Sequence, residues 1–129
     1  MYFVTAARAF TAYYHFPDTP STPLPWHEYL IEIRVEGETL SSHGYLVDIN
    51  LLKKLLEEIE GGWKGQVLND LIDFIDVIPT VENVARITAE KVLEHLPTEG
   101  PTALEVRVWE SEKKPAPSAG IRLDLGGKA

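Results

Sequence analysis

The sequence of 129 residues predicts an α+β fold, an antiparallel sheet with two helices packed on one face, and three observations predict it. Segments toward both ends of the chain alternate apolar and polar residues with period two, the mark of half-buried strands. Two segments between them repeat apolar residues at helical spacing. No internal repeat or low-complexity linker interrupts the order of strands, two helices, strands.

Tyr2 to Tyr14 reads as the first strand and Pro17 to Pro25 as a proline-rich loop. The clearest strand follows at His27 to Glu36, where Tyr29, Ile31, Ile33 and Val35 share one face and Glu28, Glu32 and Arg34 the other. Glu36-Gly37-Glu38 suits a turn. Gly44-Tyr45-Leu46-Val47-Asp48 then reads as the returning strand of a hairpin, which would set His27 near Asp48 and His43 near Arg34. A helix is predicted from Asn50, with Leu51, Leu52, Leu55, Leu56 and Ile59 as its apolar stripe and Gly61-Gly62 as its end. The second helix opens after Pro79 with Thr80 as N-cap and Glu82 in the first turn, where the helix dipole favours an anion. Val81, Ala85, Ala89, Val92 and Leu96 form its stripe, His95 complements the dipole in its last turn, and Pro97 and Gly100 stop it. Two further strands follow: Leu104, Val106 and Val108 alternate with Glu105, Arg107 and Trp109, then Ile121, Leu123 and Leu125 with Arg122 and Asp124. Gly126 to Ala129 reads as a frayed end. One domain, residues 1–129, accounts for this length.

Composition narrows the function classes. Twelve Lys and Arg are scattered among twenty acids, giving a net charge of -8, so nucleic acid and anionic membrane are poor partners. The absence of cysteine excludes disulfides, thiolate metal sites and cysteine nucleophiles. No apolar run reaches membrane-spanning length and no signal sequence opens the chain, so a soluble cytoplasmic protein is expected. One Met, few Asn and Gln, and abundant Glu fit a thermophilic source.

Several short segments, in a shared order, carry a resemblance. They are His15 after the first strand, Trp26-His27-Glu28-Tyr29, Gly44-Tyr45-Leu46-Val47-Asp48-Ile49, Leu68-Asn69-Asp70, Pro79-Thr80-Val81-Glu82-Asn83, and Glu110-Ser111 after a strand. In that order the chain resembles the family of 6-pyruvoyltetrahydropterin synthase and 6-carboxytetrahydropterin synthase, with Pro79-Thr80-Val81-Glu82-Asn83 matching the family's Pro-Thr-x-Glu-Asn without a change. The resemblance implies the tunnelling fold, whose sheets join into a barrel on trimerisation, two barrels stacking into a hexamer. It also implies a pterin ligand, a substrate of the dihydroneopterin-phosphate type, and a zinc ion held by three histidines. Glu110 takes the role of the carboxylate that accepts two hydrogens from the guanidine-like edge of the pterin ring, a task that suits a group with two acceptor oxygens. Thr80, through a hydroxyl contact, and Glu82 of the same helix start are implied as further substrate-binding residues. His27 and His15 stand for two of the metal ligands.

The pattern also departs from the family. Pro25 stands where the first imidazole of His-Gly-His belongs, and proline has no side-chain donor for a metal. Counting from Phe10 puts Tyr14 at the first-strand position and His15 one place late, so a bulge would be needed to turn His15 inward. Ser21 replaces the family's cysteine, and Lys64 and Gly65 fall where its Asp-His pair belongs. Glu60, Asp70 or His43 could substitute for the missing acid from elsewhere, although the expected hairpin sets His43 at the far end from His27. Two functions therefore stay open: a pterin synthase-like lyase, and an inactive relative that keeps the oligomeric fold and a pterin pocket. Beside them stand plainer readings. His15 and His27 could be polar strand ends, Glu82 and Asp48 helix-start acids, and Glu110 a solvated glutamate. Tyr13, Tyr14, Phe16 and Trp26 could wall a pocket for a flat ring or simply pack a core.

Overall fold

The computed structural model describes residues 1–15, 26–111 and 116–126. Phe16, the proline-rich loop with Ser21 and Pro25, and the last three residues of the expected frayed end lie outside the described residues. Four strands, β1 (Tyr2–Tyr13), β2 (Trp26–Gly37), β3 (Pro101–Trp109) and β4 (Ser118–Asp124), form one antiparallel sheet in the order β1-β2-β3-β4. Helices α1 (Ile49–Trp63) and α2 (Val81–Leu93) pack on one face of it, with two single-turn 3-10 helices, Leu68–Asp70 and Ile72–Phe74, between them.

The alternation read from β2 is the alternation of the fold. Tyr29, Ile31, Ile33 and Val35 are all but fully buried beneath the helices, together with Leu104, Val106 and Val108 of β3. Each such side chain contributes roughly 1.5–3 kcal/mol on leaving water, so this inner face fixes the register of the sheet. The opposite face carries the charges. There Glu36 accepts from Arg122 at 2.9 and 2.8 Å and from Arg34 at 2.9 Å, and Arg34 also lies 3.8 Å from the ring centre of Phe3. The low exposure of Glu36 comes from these arginines on an open sheet face, not from depth in the core.

Helix α2 begins at the predicted Thr80 cap, and α1 begins at Ile49, one residue before the expected start, with Asp48 as its cap. Asp48 accepts from Asn50 N at 2.9 Å, and Thr80 Oγ1 accepts from Asn83 N at 3.1 Å. Two expectations are corrected. The segment Gly44 to Asp48 is a loop, not a strand: the flanks of β2 are taken by β1 over twelve residue pairs and by β3, so His27 faces Ala12 rather than Asp48. Leu46 and Val47 are both buried from this loop. Helix α1 also runs through Gly61 and Gly62 to Trp63. The buried Trp63 ring, whose Nε1 donates to Asp73 at 2.9 Å, offsets the helix cost of about 1 kcal/mol per glycine.

The end of α1 is stitched to the end of β1. Gly65 N donates to Thr11 O at 2.8 Å and Tyr13 N to Gln66 O at 2.9 Å, with Gly65 at φ 71°, a conformation glycine adopts without strain. Among the described residues no helix is long and apolar enough to cross a membrane.

Candidate functional site

Antiparallel pairing gathers the candidate residues at one end of the helix-covered face. The last pair of β2 with β3 is Leu30 with Trp109, so one step further along both strands brings Tyr29 and Glu110 onto the inner face. Glu110 is half-buried, and its backbone is held by Glu110 N donating to Pro117 O at 3.0 Å. His27 lies two residues before Tyr29 on the same face, and Tyr14 continues the inner row of Phe10 and Ala12 on β1. The rings of Tyr14 and His27 stack, with centroids 4.1 Å apart and planes at 24°. His27 and Tyr29 stand 6.4 Å apart, centroid to centroid. Below them Phe10, Trp63 and Phe74 form an aromatic floor, linked to Tyr29 at 5.8 Å.

The electrostatics agree with one shared site. Burial lowers the pKa of His27, against a smaller opposing pull from the Glu110 carboxylate, which favours the neutral form of the imidazole. Burial raises the pKa of Tyr14, and Glu110 adds to it. Tyr29 is raised far more, by burial first and then by Tyr14 and Glu110. Glu110 is thus the one charge that acts on all three rings. His27 Nε2 and the Tyr29 hydroxyl are buried with no hydrogen-bond partner among the described residues. Chemically the arrangement offers an acceptor carboxylate, a neutral imidazole and phenol groups at a dry wall, suited to binding a polar ring and to passing a proton.

Other expected residues are positioned differently. His15 lies two residues past the end of β1, whose pairing with β2 runs without a break to Tyr13 and Trp26. Its backbone is instead clamped by Asn69: His15 N donates to Asn69 Oδ1 at 3.0 Å, and Asn69 Nδ2 donates to His15 O at 2.8 Å. Helix α2 precedes β3 and packs against it, so its start stands at the same end as Glu110. There Thr80 is half-buried and its oxygen is occupied in capping, whereas Glu82 is exposed. Trp26, at the start of β2, is 58% exposed. Among the substitutes considered for the acid, Glu60 is committed to Arg8 at 2.7 Å, and Asp70 and His43 are exposed. Among the described residues no three His, Cys, Asp or Glu side chains converge as a metal site would require. A cleft of about 200 Å³ between the helices, lined by Trp63, Asp73, Lys91 and His95 among others, includes none of the candidate site residues.

Two residues of this site escaped the sequence reading. Tyr29 was counted as core because it alternates with Ile31 and Ile33; the signal was its hydroxyl, which a purely apolar position does not need. Asn69 was noted only within Leu68-Asn69-Asp70, and its clamp joins residues 54 apart in sequence, beyond any local pattern.

A four-stranded antiparallel sheet covered on one face by two helices inserted between its second and third strands is the tunnelling fold. The chain belongs to the 6-pyruvoyl tetrahydropterin synthase family, whose model matches residues 11–118. It is 35% identical over 91 residues to the 6-carboxy-5,6,7,8-tetrahydropterin synthase of Bacillus subtilis (strain 168), a match covering 66% of this chain and 60% of that protein. It therefore spans less than two thirds of that relative's length. The fold is shared with the 6-pyruvoyl tetrahydropterin synthase of Plasmodium falciparum at TM-score 0.75 and 13% identity, covering 95% of this chain and 98% of that one. The Caenorhabditis elegans enzyme aligns at TM-score 0.68 and 20% identity over 96% of both chains.

Proposed function

We propose that this chain binds a pterin at the end of its inner sheet face, with Glu110 as the anchor of the ring and Thr80 and Glu82 at the rim. The observation that carries the reading is the position of Glu110: a half-buried carboxylate whose charge reaches Tyr14, His27 and Tyr29 together. Two carboxylate oxygens match the paired N–H donors of a 2-amino-4-oxo ring edge, and aromatic walls suit the flat ring. The substrate is of the dihydroneopterin-phosphate type or a related pterin, handled by a synthase-like lyase. A second reading, an inactive relative that keeps the pocket, is favoured by the missing convergence of metal-ligating side chains among the described residues.

The protein acts as one domain in the cytoplasm, with neither nucleic acid nor membrane as partner. It assembles as a trimer or hexamer, because among the described residues β1 and β4 leave unpaired sheet edges and Ile72, Ile75 and Ile78 are exposed. Light scattering during size exclusion checks the assembly, and a monomer would contradict it. For the pocket, fluorescence titration with pterin and with its 2-oxo analogue lumazine is decisive. Pterin should bind more tightly, since lumazine lacks the exocyclic amino donor; equal affinity would argue against a carboxylate anchor.

A further inference from the structure

We propose that the His27 end of this site works without a metal, His27 Nε2 and the Tyr29 hydroxyl forming a hydrogen-bonding subsite for a hydroxyl-bearing substituent of the ring that Glu110 anchors. The inference rests on the pterin reading above. Its first support is the state of the two atoms. Both are buried, both lack a partner among the described residues, and both belong to the inner face where Glu110 stands. A polar atom buried and left unpaired is destabilising, and a bound partner removes that cost.

The donor set is the second support. A zinc site of the family kind needs three neutral side-chain ligands converging with a fourth position open. Here Ala12 pairs with His27, and the next ring along the inner row, stacked on that imidazole, is the phenol of Tyr14. Tyr14 lies flat on His27, ring on ring at 4.1 Å, so it covers the imidazole face as a packing partner. A single imidazole with a phenol stacked on it does not make the set.

The subsite also selects its ligand by chemistry. A phenol donates, and the imidazole accepts at Nε2 in the tautomer that carries its proton on Nδ1. A hydroxyl group both accepts and donates, and so satisfies the two atoms at once. A carboxylate only accepts and would stand close to the charge of Glu110, while a methyl group satisfies neither.

Two measurements test the proposal. Chelator-treated protein is titrated with zinc and its metal content measured after dialysis: no retained zinc is expected, and near-stoichiometric zinc that is lost in His27→Ala would overturn the metal-free site. Fluorescence titration then compares a pterin bearing a 6-hydroxyalkyl chain with 6-methylpterin. The wild type should prefer the hydroxyalkyl ligand about tenfold, the size of one net hydrogen bond, and Tyr29→Phe should bring the ratio close to one. A ratio that survives Tyr29→Phe overturns the subsite. Glu110→Gln separates the two readings, because it should weaken both ligands alike and leave their ratio standing. If the wild type binds neither pterin, the anchor reading fails and the subsite falls with it, while the zinc titration still decides the metal-free claim.

Discussion

Removing the side chain of Asn69 is expected to unfasten the segment that lays Tyr14 on His27. Asn69 accepts from His15 N at 3.0 Å and donates to His15 O at 2.8 Å, so Asn69→Ala breaks two half-buried hydrogen bonds at once. At about 0.5–1.5 kcal/mol net for each, the loss is about 1–3 kcal/mol, with the upper end reached only where the freed His15 groups stay dry. Asn69→Asp is the sharper perturbation. The carboxylate still accepts from His15 N but meets the His15 carbonyl with no proton to donate, so at neutral pH it costs at least as much as alanine. The protonated acid regains the donor. The introduced carboxyl therefore has its folded pKa raised above its unfolded value, and the stability it contributes is present at low pH and lost as pH rises through the folded value. Urea denaturation of wild type, Asn69→Ala and Asn69→Asp at neutral and acid pH measures this, read as differences from wild type at each pH. Hydrogen exchange at the His15 amide reports the clamp itself. Wild-type stability in Asn69→Ala together with an unchanged His15 exchange rate would refute the clamp. An Asn69→Asp deficit that does not shrink in acid would refute the role of the Nδ2 donor.

Three further outcomes are expected. The paired guanidinium groups of Arg122 and Arg34 hold the Glu36 carboxyl down to about 2 from the usual 4.5, so its stabilising contribution is complete above about 4.5 and is lost as pH falls toward 2. Glu36→Gln should flatten that acid limb of the stability curve, and urea midpoints across the acid range check it; a limb of unchanged slope would exclude Glu36 as its source. In Gly37→Ala the added Cβ would stand 2.5 Å from both Gly100 O and Leu46 Cδ1; the leucine can turn aside but the carbonyl cannot, so a loss of about 1–3 kcal/mol is expected by thermal or urea unfolding. Thr88→Val removes a fully buried hydroxyl that has no partner among the described residues, and should be neutral or stabilising by up to about 1 kcal/mol; a clear loss of melting temperature would mean the hydroxyl is bonded after all.

The sequence made some parts of this molecule legible and hid others, for physical reasons. The caps at Asp48 and Thr80 were readable because a cap is a local bargain between one side chain and an amide two or three residues on. The inner face of β2 was readable because alternation is local too. Which strands pair is not local. Gly44 to Asp48 looked like the nearest partner for β2, yet a five-residue segment cannot compete with the twelve-residue register of β1. The continuation of α1 through Gly61 and Gly62 was hidden because the gain comes from Trp63 reaching Asp73 and the core, a tertiary contact. In the site, the prominence of Glu110 was visible from its place after an apolar strand. Its company was not, since Tyr14, His27 and Tyr29 meet it only through the registers of three strands.

The central claim, that Glu110 anchors a pterin, is tested most directly by titrating wild type and Glu110→Gln with pterin and following the quenching of its fluorescence. Glutamine replaces one of two acceptor oxygens with a donor facing a donor and removes the charge, so a loss of about 1.5–3 kcal/mol, roughly 10- to 100-fold in affinity, is predicted. Pterin binding of wild-type strength in a folded Glu110→Gln protein would contradict it.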